Sequence, residues 1–111
     1  MAVSKMDKMQ LQPEDTALSP AEIESYHQQV PGWEIITADG EQQLKRVFKF
    51  KDFTEALAFT DRVGATANQQ NHHPALLTEW GKVTVFWWTH KVHGLHVNDF
   101  IMAAKTDRLS E

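Results

Sequence analysis

Between Gln43 and Lys51 the chain alternates. Leu44, Phe48 and Phe50 fall on one parity, and Lys45, Lys49 and Lys51 on the other. Period-two alternation predicts an antiparallel strand with one core face and one wetter face. Trp33 to Thr37 reads as its partner, joined through the hairpin signal Ala38-Asp39-Gly40. The period then changes. From Asp52 to about Gln70, Phe53, Ala56, Leu57, Thr60, Val63, Gly64 and Ala67 recur at helical spacing, with Phe59 outside the main stripe. Asp52, with Glu55 in the first turn, marks the helix start. An earlier helix opens at Ser19-Pro20-Ala21-Glu22, a capping box with proline at the first helical position. Leu18 and Ile23 stand at staple positions, and Val30-Pro31-Gly32 stops this helix after about Gln29.

The second half repeats the theme. Ala75 to Glu79 reads as a strand, Trp80-Gly81-Lys82 as a turn, and Val83 to His90 as a fourth strand. A loop over Lys91 to Val97 leads to a last helix from roughly Asn98 to Leu109. The order αββαββα predicts an α+β fold: a four-stranded antiparallel sheet with three helices packed on one face.

Two surfaces stand out. In the fourth strand Val83, Val85 and Trp87 share one parity, and Thr84, Phe86, Trp88 and His90 the other. Both faces are apolar, so core should cover one, and ligand or a second subunit the other. In the middle helix the small row Ala56, Thr60 and Gly64 suits either close packing on the sheet or a subunit interface.

The chain has 111 residues, enough for one domain. Its net charge of −4 argues against a nucleic-acid surface. There is no cysteine, which excludes disulfides, thiolate nucleophiles and cysteine zinc sites. No stretch approaches the roughly 20 apolar residues of a membrane span. Met1 to Thr16 lacks an apolar signal core, so the expected compartment is the cytoplasm. Residues 1–17 read as a flexible tail of no chemical consequence, and 18–111 as the domain.

Candidate chemistry centres on histidine, whose unperturbed pKa lies nearest neutrality. Of six, His27 is expected to have no task. Asn71-His72-His73-Pro74 lies where the middle helix meets the third strand. Proline biases His73 toward extended backbone, and adjacent side chains on such backbone point opposite ways. One ring can face a pocket while the other locks the junction. His90, at the end of the fourth strand, is placed to complete a cluster. His90, His93 and His96 form a ladder, but it crosses Gly94 and has no acidic partner at helical spacing, so no metal site is expected. Asp99 falls in the first turn of the last helix, where it complements the dipole and can also orient a histidine.

These residues resemble a known family, the pterin-4a-carbinolamine dehydratases. The resemblance rests on Gly32-Trp33, Phe48-x-Phe50-Lys51-Asp52-Phe53, His72-His73-Pro74, Trp80-Gly81-Lys82-Val83, Trp88-Thr89-His90, Gly94-Leu95 and Asp99-Phe100, and covers about residues 18 to 109. It implies loss of water from 4a-hydroxytetrahydropterin to give quinonoid dihydropterin, recycling the cofactor of aromatic amino acid hydroxylases. No metal or organic cofactor is implied. The implied catalytic residues are His72, His73, His90 and Asp99, and the implied substrate-binding residues are Asn68, Asn71, Pro74 and Thr89. A histidinium can protonate the C4a hydroxyl, and a neutral histidine can take the ring N–H proton; which histidine does which stays open.

Two positions depart from the family pattern. Asn68 stands where a charged residue, often glutamate, is usual. His96 stands where a serine or threonine caps the last helix, so Asn98 is expected to take over the cap. The resemblance also implies a homodimer or homotetramer, and an aromatic amino acid hydroxylase as a metabolic partner. The alternative is a non-catalytic binding protein of the same fold, either a dimerisation cofactor for a transcription factor or an assembly chaperone.

Overall fold

The computed structural model describes residues 5–111. Local signals become elements close to their expected places. Ser19 Oγ accepts from the Glu22 amide while the Glu22 carboxylate accepts from the Ser19 amide, and α1 runs over Pro20–His27. Asp39 and Gly40 both take positive φ, as a two-residue hairpin turn requires, and join β1 (Glu34–Ala38) to β2 (Glu41–Lys49). Asp52 accepts from the Glu55 amide and starts α2 (Phe53–Gln70). Then come β3 (Ala75–Glu79), β4 (Lys82–Trp87) and α3 (Val97–Leu109). Strand order is β1-β2-β4-β3, every pairing antiparallel.

One face of the sheet carries the core. Leu44 and Phe48 of β2 and Val83, Val85 and Trp87 of β4 are buried with Phe59, Val63 and Ala67 of α2 and with Phe100 and Ile101 of α3. Tyr26 of α1 packs its ring on Phe100. Trp33 Nε1 and Arg46 both donate to Asp107, tying the entrance of β1 and the middle of β2 to the end of α3.

The buried row of α2 differs from the expected stripe. Phe59 is fully buried, whereas Phe53 and Leu57 are 44% and 45% exposed. The reason is aromatic: Phe59 sits between Phe48 and Phe50 with ring centroids 4.8 and 5.0 Å away, which rotates the helix toward that ring. The small row is divided by this rotation. Ala56 is buried, Thr60 shares a 2.6 Å hydrogen bond with Thr78 of β3, and a Cβ at Gly64 would meet open space.

β4 ends at Trp87 rather than His90. Thr89 makes a two-way backbone bridge to Gly94, closing a small loop in which His90–Val92 form a 3-10 turn and His93 takes φ 59. The uncovered sheet face places Val47 and Leu77 on either side of Thr84, with Phe86 one step along.

The segment expected as a tail is a third departure. Residues 1–4 lie outside the described ones, but residues 5–14 run along α3. Met6 is buried in the core. Lys105 donates to the Asp7 carbonyl, and the Gln12 backbone exchanges two hydrogen bonds with the Asn98 side chain. An apolar side chain and a paired buried amide hold what composition presents as polar. Among the described residues no helix is long and apolar enough to cross a membrane.

Candidate active site

Asn71 decides where His72 goes. It takes the left-handed conformation (φ 53, ψ 41), which an asparagine tolerates better than most side chains. Its amide and that of His72 return to the last turn of α2, the latter reaching the Ala67 carbonyl. The chain then reverses into β3, and the His72 ring turns inward.

That ring is buried and stacks on Trp87 with centroids 5.7 Å apart and planes 10° from parallel. Nε2 donates to Asp99 Oδ1 at 2.7 Å, and Nδ1 donates to Glu14 Oε2 at 3.0 Å. Each nitrogen faces an acceptor-only carboxylate, so the cation alone makes both bonds. Burial disfavours that cation. The hydrogen bond and charge of Asp99, with those of Glu14, outweigh burial and hold the His72 pKa above the ordinary histidine value.

Asp99 is fully buried and satisfied on both oxygens. Oδ2 accepts from Thr89 Oγ1 at 2.8 Å and from the His96 amide at 2.9 Å. Thr89 therefore serves Asp99 through its hydroxyl. The expected cap at Asn98 is replaced by His96, whose Nδ1 accepts from the Asn98 amide. An imidazole lone pair here does the work of a serine oxygen, and Asn98 is left free to pair with Gln12.

His73 points the other way and is exposed. Its Nε2 donates to Asn68 Oδ1 at 3.0 Å, which leaves Nδ1 as the nitrogen able to exchange a proton. Pro74, half-buried, leads into β3. The structure thus joins His72, Asp99 and Thr89 in one network and His73 with Asn68 in a second.

His90 belongs to neither. Its exposed ring lies 3.5 Å from the Glu41 carboxylate, which also faces His93 at 3.2 Å, and the two rings meet edge-on. Among the described residues no hydrogen bond, ion pair or ring contact joins His90 to His72, His73 or Asp99. The early end of β4 explains this, because the 3-10 turn carries His90 toward the start of β2. Among the described residues no group of three or more histidine or acidic side chains is placed to hold a metal ion. Sequence reasoning missed Glu14 and Trp87. Neither carries a local signal, since each meets His72 only through the fold.

Comparison with known proteins places most of the chain in one family. A model of the family described as pterin 4 alpha carbinolamine dehydratase matches residues 16–109.

The chain belongs to that family.

Among its curated relatives, a protein of Nitrosococcus oceani is 56% identical over 107 residues, covering 96% of this chain and 95% of the relative. One of Syntrophotalea carbinolica is 59% identical over 90 residues, covering 81% and 80%. Both carry pterin-4-alpha-carbinolamine dehydratase as a provisional name. The crystal structure of a transcriptional coactivator/pterin dehydratase from Brucella melitensis has a TM-score of 0.77 at 29% identity, over 86% of this chain and all of that one. A pterin dehydratase-like protein identified as a RuBisCO assembly factor in the alpha-carboxysome shares the fold, with a TM-score of 0.61 at 19% identity over 71% and 89% of the two chains.

Proposed function

We propose that this family member removes water from 4a-hydroxytetrahydropterin. The C4a–O bond breaks, the hydroxyl leaves as water with an added proton, and a ring nitrogen loses its proton to give quinonoid dihydropterin. The observation that carries the reading is the arrangement of the two adjacent histidines. His72 is locked as a buried cation by Asp99 and Glu14, while His73 beside it is exposed with one nitrogen open.

On this reading His73 exchanges protons with the pterin. His72 and Asp99 supply a fixed charged frame beneath it, and Thr89 fixes Asp99. The family resemblance alone proposes His90 as the other proton-transfer group; its exposed imidazole stands beside Glu41 and belongs to neither network. Asn68 orients His73, while Asn71 and Pro74 shape the wall around it. Positioned acid–base groups are typically worth about a hundredfold to ten-thousandfold each, enough for a dehydration that needs no metal or organic cofactor. A separate two-electron reduction of the product, by another enzyme, returns it to the tetrahydropterin pool of aromatic amino acid hydroxylases.

The protein is further proposed to be a closed homo-oligomer, a dimer or tetramer. Phe53 and Leu57 on α2 and Val47 and Leu77 on the open sheet face are apolar and exposed. That sheet face also favours a second reading, a non-catalytic binding protein. The Brucella melitensis protein is described as coactivator and dehydratase together.

Stopped-flow measurement with enzymatically generated 4a-hydroxytetrahydropterin separates the two readings. Acceleration over the spontaneous reaction is expected, and a rate equal to the spontaneous one would leave only the binding reading.

A further inference from the structure

The N-terminal segment reaches the histidine pair. Residues 5–14 are fixed to α3 at successive points. Met6 is buried, the Asp7 carboxylate lies 3.5 Å from Arg108, and Lys105 donates to the Asp7 carbonyl. Leu11 packs against the core. Gln12 exchanges two backbone hydrogen bonds, of 2.7 and 2.8 Å, with the buried side chain of Asn98. Asn98 adjoins Asp99, so this exchange sets the chain in register with the site, and the carboxylate of Glu14 arrives at His72 Nδ1.

We propose that Glu14 is a positioning residue of the active site, and that residues 5–14 are a strap holding it against His72. The proposal rests on the dehydratase reading for its consequence in catalysis, and on geometry alone for the contact.

The physical need is clear. The His72 ring is buried, and a buried donor left without an acceptor is costly. The charged groups facing the ring are Glu14 from the strap and Asp99 from α3; β4 presents the uncharged face of Trp87. With both carboxylates in place the ring donates from both nitrogens, so it cannot give up a proton without losing a bond. It is therefore a fixed element of the site, and on the dehydratase reading proton exchange falls to its neighbour His73. Take away the charge of Glu14 and the ring can go neutral. The cation next to His73 in the chain is then favoured less, although every backbone anchor of the strap remains.

The experiment compares Glu14→Gln and Glu14→Ala with the wild-type chain. Glutamine keeps an acceptor oxygen at nearly the same place and removes only the charge. The His72 imidazole nitrogens are followed by NMR across pH, and dehydration is followed by stopped flow over the same pH range. An opposite charge at this range shifts a titration by about one unit or more, so the His72 midpoint should fall by at least that much in both variants. The rate should fall at least about fivefold in both, with thermal melting of Glu14→Gln close to wild type.

If Glu14 served only as packing, Glu14→Gln would titrate and react like the wild type, and that result overturns the proposal. A shifted midpoint with an unchanged rate overturns the positioning role as well. A wild-type chain without dehydratase activity counts against the dehydratase reading alone, because the His72 titration then still decides whether Glu14 holds the ring.

Discussion

His72 Nε2 lies 2.7 Å from Asp99 Oδ1, and neither side chain is more than 6% exposed. A cation and an anion have been taken out of water together. They come from the end of α2 and the first turn of α3, and Thr89 and His96 satisfy the second carboxylate oxygen. The pair is stable as a unit and costly to break singly.

Stability should therefore depend on pH in a definite direction. The folded His72 pKa lies above the ordinary value of 6.5, so the folded chain keeps a proton that the unfolded chain releases first as pH rises. The contribution is complete below about pH 6.5 and is lost as pH climbs through the raised value. Urea midpoints should fall as pH rises above about 6.5, and His72→Gln should flatten that slope while lowering the whole curve. Equal slopes in the two proteins would assign the dependence to another group.

The two adjacent histidines should separate in mutagenesis. His73→Ala removes an exposed ring, and should lower dehydration at least about tenfold with unfolding free energy changed by less than about 0.5 kcal/mol. His72→Ala removes the buried cation, leaves the Asp99 charge uncompensated, and should cost about 2 kcal/mol or more in addition to activity. Asn68→Ala, which releases His73 Nε2, should fall between wild type and His73→Ala in rate. Parallel stopped-flow and urea series check all three.

Asn71 should be replaceable by glycine and by little else. Its φ of 53 lies where a β-branched side chain is strained. Asn71→Gly is expected to melt at or slightly above the wild-type temperature. Asn71→Val should lose about 1–2 kcal/mol and redirect His72, visible as a disturbed imidazole resonance. Equal melting of both variants would show that the turn does not depend on this conformation.

Assembly is open to a direct test. Gly64 faces open space in the single chain, and arginine is a better helix former than glycine, so Gly64→Arg should fold well as a monomer. If α2 meets a second copy near the exposed Phe53 and Leu57, light scattering should report at least a dimer for wild type and a smaller mass for Gly64→Arg. A monomeric mass for wild type at micromolar concentration would leave these side chains simply exposed.

Short-range features were legible from the chain alone. The Ser19–Glu22 box, the Asp52–Glu55 cap, the Asp39-Gly40 turn and the parity of Leu44 and Phe48 each depend on residues a few positions apart. Backbone sterics and local hydrogen bonds fix such features before distant parts of the chain meet. So the α+β order and the position of the histidine pair at the α2–β3 junction could be read directly.

Tertiary structure alone decided the rest. Phe59 rather than Phe53 or Leu57 enters the core because its ring packs between Phe48 of β2 and Phe50 just beyond that strand. His96 caps α3, with Asn98 turned to the strap, because a segment far away in the chain supplies Asn98 with a partner. His90 leaves the pair because the Thr89–Gly94 bridge ends the strand early. His72 is held toward its cationic form because Glu14 and Asp99, distant in sequence on either side of it, converge on its two nitrogens. A pattern of residue types can place a histidine at a junction. Its protonation is set by burial and by the charges within a few ångströms, and those distances exist only once the chain has folded.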